Sequence, residues 1–354
     1  MKILVFISKL YNGGGERVAS ILLNHLCEKH NVTAAVFDTK EKSYPINDKI
    51  KLIDLSCGKR IRPYQLNRII KSRETIKKIQ PDLIISFIVE LNRFVIISNV
   101  FCRKKLIVSE RTTIQRRQSL FHTFTRHILY RLANRVVLVS KCDYDYAKWL
   151  KNKTLIYNPL VFPTITNYNK RENTIVTISS QHRWHVKGFD LLIQAWAKIA
   201  PSHPNWKLQF IGTNDCNYIS NMVKSIGLEN QVDFLGWTYE IDKILQTKSI
   251  YVLSSRNEGF PNSLIEAMSQ GCACAAFDCK TGPNEIITDG VSGLLARNGN
   301  INDLAAKLQT LIEDKELRQR LSANGVEEVK RFDKELIMRQ WDELIEDATQ
   351  RAQR

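Results

Sequence analysis

With 354 residues, 44% of them hydrophobic and 25% charged, the chain has enough apolar material for two domains with proper cores, which excludes a disordered or fibrous protein. Its formal charge of +16 calls for an anionic partner, whether nucleic acid, acidic membrane face or phosphorylated substrate. The eight cysteines, at 27, 57, 102, 142, 216, 272, 274 and 279, form no C-x-x-C pair, so free thiols in a reducing cytoplasm are expected in place of disulfides or zinc.

Residues 2–7 form a continuous apolar run and read as a buried strand. They lead into Gly13-Gly14-Gly15-Glu16-Arg17 and an amphipathic helix over about residues 18–29. Three glycines let backbone approach a ligand closely, and a helix start behind them favours negative charge, although the loop does not match G-x-G-x-x-G. Further strands are predicted at 32–37, 50–55, 83–87, 105–109 and 135–140, separated by helical patterns such as 68–80 and 121–132. The alternation predicts a mainly parallel sheet with helices on both faces. After Tyr157-Asn158-Pro159 and an irregular linker, a second series begins. Strands at 174–179, 207–211, 232–235, 250–253 and 272–277 alternate with helices near 189–199, 218–226, 241–246 and 261–270. The tail from 301 reads as successive helices. The expected organisation is α/β, with two doubly wound Rossmann-like domains facing a cleft: residues 1–160, residues 161–331, and a C-terminal helix within 332–354 packing back on the first domain. The opening strand is too short for a signal peptide and no apolar segment reaches spanning length, so the expected location is cytoplasmic.

Three stretches carry chemistry. In 254–268, SSRNEGFPNSLIEAM, a loop with Glu258 follows a strand, and Pro261 is suited to the first turn of a helix that carries Glu266. The free N–H groups of Asn262, Ser263 and Leu264 would meet an anion at a strand's carboxyl end. In 181–188, Arg183 offers a bidentate fork and Lys187 a point charge for a diphosphate. In 103–135, Arg116, Arg117, Arg126, Arg131 and Arg135 are interleaved with Phe121, Phe124, Leu129 and Tyr130. The pattern makes a basic amphipathic helix that could lie on an anionic bilayer or hold a pyrophosphate. Asp143-Tyr-Asp145 looks like a D-x-D metal pair, but its place just after a strand puts both aspartates in the first turn of a helix, where negative charge favours the macrodipole. No metal is assigned, and Cys272-Ala-Cys274-Ala-Ala276 reads as a strand of small residues.

These residues together resemble the GT-B nucleotide-sugar glycosyltransferases of family 4, a retaining family that includes bacterial capsule, O-antigen and glycan-assembly enzymes. The resemblance covers almost the whole chain. It rests on Gly13 to Arg17, Ser109-Glu110-Arg111, the stretch 130–140, Asn158-Pro159 and Lys187-Gly188-Phe189-Asp190. Its most specific part is Glu258-Gly-Phe-Pro-Asn-Ser-Leu-Ile-Glu266, two glutamates with seven residues between them. The resemblance implies that Glu258 holds hydroxyls of the donor sugar and Glu266 the nucleotide ribose. Asn262, Ser263 and Leu264 would meet the diphosphate, with Gly14 and Gly15 also assigned to the donor. Arg183 and Lys187 would neutralise the leaving nucleoside diphosphate. It implies transfer with retention by front-face attack, a donor phosphate oxygen taking the acceptor proton, and no metal or other cofactor. This chain has His182 where the family's arginine usually stands, five residues before the lysine. It has Arg111 where histidine is common, so any assistance near the sugar comes from a fixed cation. Gly212-Thr213-Asn214 replaces the family's G-x-G.

The implied partners are a UDP-sugar, with a hexose or N-acetylhexosamine, and a polyprenyl-diphosphate-linked saccharide. Arg116, Arg117 and Arg126 are expected to serve the acceptor pyrophosphate and the anionic inner face of the cytoplasmic membrane, where the protein would be peripheral. Three alternatives remain: a GT-B epimerase, an inverting transferase, and a nucleic-acid-binding protein. The last leaves the paired glutamates unexplained.

Overall fold

In a computed structural model, the structure describes residues 1–11, 13–42, 44–56, 64–115, 119–165, 171–179, 181–213 and 217–350. The chain divides into two units, Met1–Pro159 with Lys334–Arg354, and Leu160–Asp333.

In the first unit β1 (Lys2–Leu10), α1 (Gly14–Leu26), β2 (Asn31–Lys42), β3 (Lys51–Asp54), α2 (Tyr64–Ile79), β4 (Leu83–Phe87) and α3 (Val89–Asn99) are followed by β5 (Lys105–Ser109), α4 (Leu120–His127), β6 (Arg135–Leu138), α5 (Lys141–Tyr146) and β7 (Lys153–Leu155). The seven strands are parallel, in the order β3-β2-β1-β4-β5-β6-β7. Alternate residues of the central strands feed separate cores on the two sheet faces, Ile3, Val5 and Ile7 on one side and Leu4 and Phe6 on the other.

The second unit contains β8 (Glu172–Ile178), α6 (Phe189–Ile199), β9 (Lys207–Ile211), α7 (Asn217–Ser225), β10 (Val232–Phe234), α8 (Ile241–Thr247), β11 (Lys248–Leu253) and α9 (Asn262–Ser269). It continues with β12 (Ala273–Asp278), α10 (Pro283–Ile286), β13 (Leu294–Arg297), α11 (Ile301–Glu313) and α12 (Lys315–Glu328). Its six strands are also parallel, ordered β10-β9-β8-β11-β12-β13. The last helix, α13 (Lys334–Gln350), returns to the first unit, where Ile337, Met338 and Trp341 are buried in the same core as Ile3 and Val5.

Two doubly wound parallel sheets are what the alternation of elements predicts. Several boundaries differ. The first helix begins at Gly14, not near residue 18, so two of the three glycines lie inside it and Gly13 caps it. Pro261 stands one residue before α9, at the cap. Asp143 lies in the first turn of α5, while Asp145 lies beyond it and pairs with Lys141. The predicted helix 121–132 is α4 plus a 3-10 turn, Leu129–Leu132. Among the described residues, no helix is long and apolar enough to cross a membrane.

Candidate active site

In each parallel sheet the order of winding reverses beside the first strand, and loops leave the carboxyl ends of the two strands in opposite directions, opening a crevice for ligands. In the second unit β8 pairs with β9 on one side and β11 on the other, so that point lies between β8 and β11. The loop after β8 carries Arg183 and Lys187, and the loop after β11 carries Glu258. Topology alone therefore explains why motifs 71 residues apart meet.

The Lys187 ammonium donates to Glu258 Oε1 at 2.7 Å, and the two side chains are only 12% and 7% exposed. Burial alone would raise the Glu258 carboxyl, but the charge and hydrogen bond of Lys187, with support from Ser255 and Arg183, hold it below its ordinary value. Glu258 is thus a carboxylate with acceptor capacity only, suited to hydroxyl donors. Arg183 is exposed, and its carbonyl accepts from the Lys187 N–H.

The two loops are tied together by contacts that the sequence did not announce. The Arg256 guanidinium forms a fork onto both carboxylate oxygens of Asp190, at 2.7 and 2.6 Å, and also donates to the His185 carbonyl. Asp190 would be raised by burial, yet the hydrogen bonds and charge of Arg256 bring it below its usual range. Ser254 donates to the Lys187 carbonyl, and the Arg256 N–H donates to the carbonyl of Val186. Gly188 has φ +64, and a Cβ there would lie 2.0 Å from the Ser254 carbonyl oxygen. Only glycine fits this approach. The signal was present in Arg256, two residues before Glu258, but its partner Asp190 is 66 residues away.

Three residues after Glu258, Pro261 caps α9, whose first residues are Asn262, Ser263 and Leu264. The Tyr251 phenol, buried on β11, donates to Ser263 Oγ at 2.7 Å and pins the helix start to the sheet. Burial lifts that phenol well above its usual value, so it remains a donor. The Leu264 N–H already donates to the Pro261 carbonyl at 3.0 Å. Glu266 is buried on α9. From the opposite side, Thr281 donates to the Glu258 carbonyl. Gly282, at φ +97, lets the chain pass Pro261, whose Cδ would be 2.5 Å from a Cβ.

In the first unit the corresponding point lies between β1 and β4. Gly15 lies against Arg111, with a built Cβ 3.4 Å from that side chain. Arg111 donates to Asn158 Oδ1 at 2.6 Å and lies over the rings of Phe87 and Trp341. Its Nε and Nη2 are enclosed without a protein partner. Burial draws this guanidinium from 12.5 down to about 9, against the opposing charge of Glu110, so it is a cation at neutral pH. Ile88, next to this corner, has φ +74, a strained conformation for a β-branched residue. The Glu16 carboxylate folds over Gly13, where it fills the space of a Cβ, so the start of α1 already carries its own anion.

The basic stretch requires a correction. Arg126 is 4% exposed and faces inward, its Nε 3.0 Å from Glu110 Oε2 and its Nη2 donating to Thr112. Tyr130 donates to the same Glu110 oxygen, and Asn92 donates to Tyr130. Because a buried carboxylate demands a partner, Arg126 is used inside the fold and is unavailable to an acceptor or a membrane. Arg116 and Arg117 lie outside the described residues. Asp143 accepts from Thr113, Gln115 and the Ile114 N–H, which gives it a structural task in holding 113–115. Among the described residues no group of three His, Cys, Asp or Glu side chains is placed to hold a metal. Cys27, Cys102, Cys142, Cys272, Cys274 and Cys279 are free thiols, and burial raises Cys272 to about 11 and Cys279 to about 12.

Residues 164–328 match the family described as glycosyl transferases group 1. The chain is 25% identical to a Campylobacter jejuni alpha-1,4-N-acetyl-D-galactosaminyltransferase named for GalNAc-alpha-(1->4)-GalNAc-alpha-(1->3)-diNAcBac-PP-undecaprenol, covering 98% of each. It is 26% identical to the amylovoran biosynthesis glycosyltransferase AmsD of Erwinia amylovora, covering 97% of this chain and 99% of that one. Among solved structures, Anabaena HepE in complex with UDP and glucose superposes with a TM-score of 0.82 at 20% identity, covering 98% of this chain and 99% of that one. With two parallel-sheet units and a likeness to Anabaena HepE along its length, the chain has the GT-B fold, and its residues 164–328 match the group 1 glycosyltransferases.

Proposed function

We propose that the chain transfers a hexose or N-acetylhexosamine from a UDP-sugar to a polyprenyl-diphosphate-linked saccharide, with retention at the anomeric carbon and without a metal. The observation that carries this reading is the buried Lys187–Glu258 pair, with Glu258 three residues before the Pro261 cap of α9. It sets a carboxylate, a cation and a helix N-terminus at one strand end. The Campylobacter relative's printed name supports the lipid-linked acceptor, and the UDP and glucose of the HepE complex support the donor.

In this reading Glu258 accepts hydrogen bonds from donor sugar hydroxyls. Lys187 turns part of its charge to the diphosphate as the glycosidic bond lengthens, joined by the exposed Arg183. Charge developing on the leaving group is where fixed cations lower the barrier most. The N–H groups of Asn262 and Ser263 add the positive end of α9, and Glu266 takes the ribose. Front-face attack lets a donor phosphate oxygen receive the acceptor proton, so no protein base is required. In the first unit, Gly14, Gly15 and the cationic Arg111 are assigned to the substrates. The Glu16 carboxylate at the helix start favours hydroxyls over phosphate there.

A screen of UDP-sugars for hydrolysis and transfer, with the anomeric configuration of the product read by proton NMR, tests the proposal. An inverted product would remove the retaining assignment, and full turnover by a folded Glu258→Ala would remove the site. EDTA should leave activity intact; loss restored by manganese would overturn metal independence.

A further inference from the structure

At the end of the first sheet away from Arg111 and Gly15, where the chain enters β4 and β5, a cavity of about 200 Å³ lies between the last turn of α2 and the turn after α3. It is lined by Ile76, Lys77, Gln80, Phe101, Cys102 and Lys104. The Ser98 hydroxyl donates to the Ile69 carbonyl and ties the two helices together. Two helix ends of the same kind shape the cavity. Gln80 closes α2 and Arg103 closes the turn after α3, their N–H groups donating to the Ile76 and Asn99 carbonyls, and both are left-handed, at φ +49 and +52. Glycine or asparagine is usual at such positions, and a longer side chain strains the backbone. The Asn99 carboxamide accepts from the Lys104 N–H and donates to the Lys104 carbonyl, which fixes that residue's backbone at the cavity wall.

The cations of this corner lack counter-ions. Lys77 is exposed and Lys104 half-buried, and among the described residues neither ammonium has an ion pair or a hydrogen-bond partner. The acids close by in sequence do not serve them. Asp82 accepts from the Lys2 N–H, and Glu74 is exposed on α2 outside the lining. The Phe101 ring is 73% exposed, with the Arg73 guanidinium 4.9 Å from its centroid, and Arg73 Nε is enclosed without a protein partner. A ring held by a cation presents a flat apolar face at a fixed angle. Gln80 donates its amide N–H to the Lys77 carbonyl at 2.9 Å, which leaves its amide oxygen to accept from a hydroxyl. Two ammonium groups suit a phosphate, which takes several charge-assisted hydrogen bonds from point charges. Size narrows the rest of the ligand. Pockets for cofactor-sized molecules run to roughly 300–1,000 Å³, so a cavity of about 200 Å³ takes one ring and one phosphate and is too small for a nucleotide sugar. We propose that this corner binds a sugar monophosphate, with the phosphate on Lys77 and Lys104 and the C–H face of the ring on Phe101, at a site separate from the candidate active site. The inference rests on the first unit alone and does not depend on the reaction assigned to the carboxyl ends of the strands.

Calorimetric titration with glucose 1-phosphate and glucose 6-phosphate, in saturating UDP so that a donor site is filled, tests it. The wild-type chain should bind at least one of the two saturably, more tightly than inorganic phosphate or glucose, and more weakly as salt rises. The double variant Lys77→Gln, Lys104→Gln should lose roughly tenfold or more of that affinity while keeping its thermal transition and its UDP-sugar hydrolysis. Phe101→Ala should bring the sugar phosphates down to the affinity of inorganic phosphate. Glu258→Ala should bind them as the wild type does; loss of binding in that variant would place the ligand in the donor site and overturn the proposal. It is also overturned if neither sugar phosphate binds, if the double variant binds as well as the wild type, or if inorganic phosphate binds as tightly. Because hydrolysis is read in the same samples, a failed corner site and a failed donor site are told apart.

Discussion

Replacing Lys187 by Met keeps the length of the side chain and removes its charge, leaving Glu258 buried without its cation. At 2.7 Å the pair attracts by roughly 6 kcal/mol at an effective dielectric of about 20, and desolvation of the two ions offsets much of that. Removing one partner leaves the other's desolvation uncompensated, so Lys187→Met should cost about 3–5 kcal/mol at neutral pH. The sign of the pH dependence is the sharper test. In the wild type Glu258 lies below its ordinary value, so its contribution is present above the unfolded pKa of about 4.3 and lost as pH falls through the folded one. In the variant, burial acts without Lys187 and raises the carboxyl above the unfolded value. The folded state then favours the protonated form, and stability falls as pH rises through that window. The deficit relative to wild type should therefore be small near about pH 4 and grow toward neutrality. Urea unfolding across this range measures it. A second substitution, Glu258→Gln, should recover most of the loss. A deficit under about 1 kcal/mol that does not change with pH, or no recovery in the double variant, would refute the account of the pair.

Arg256→Ala removes the fork to Asp190 and the bond to His185; a loss of about 1–3 kcal/mol is expected, together with lower transfer activity because the Lys187 loop loses its tie to the Glu258 loop. Arg256→Lys should restore stability better than activity, and equal kinetics for all three proteins would show that the tie does not position the site. Gly188→Ala places a methyl 2.0 Å from the Ser254 carbonyl at φ +64, so a melting temperature matching wild type would contradict the local geometry; a loss above about 1 kcal/mol is expected. Arg126→Leu should destabilise by about 3–5 kcal/mol through the stranded Glu110, whereas Tyr130→Phe should cost about 1–2 kcal/mol, both read by chemical denaturation. If Arg126→Leu behaves like an ordinary surface substitution, the buried network is misplaced.

The strand and helix alternation was legible in local pattern, because buried parallel strands are continuous apolar runs whatever the rest of the chain does. Residues 189–199, with Gly188 before them, were readable as a helix to the residue. So was the existence of a loop with Glu258 between a strand and a helix. The segment 153–155 was not, since three residues carry no period; it is a strand because β6 is there to pair with it. Residues 14–17 read as part of a glycine loop that brings backbone close to a ligand, but burial of Val18, Leu22 and Leu26 recruits the preceding turn into α1.

Residue types and spacing alone decided the chemistry on offer: two glutamates at a helix start, cations after a neighbouring strand, and a surplus of positive charge. Whether each charge faces a ligand or the interior lay beyond them. Lys187 and Glu258 meet because β8 and β11 are adjacent at the reversal of the sheet, a long-range pairing that local pattern does not encode. Arg126 and its neighbours 120–132 show the converse. By sequence they form a basic amphipathic helix whose cation belongs outside. In the folded protein a buried Glu110 requires a counter-charge, draws Arg126 inward, and turns Phe121 and Phe124 out to the surface.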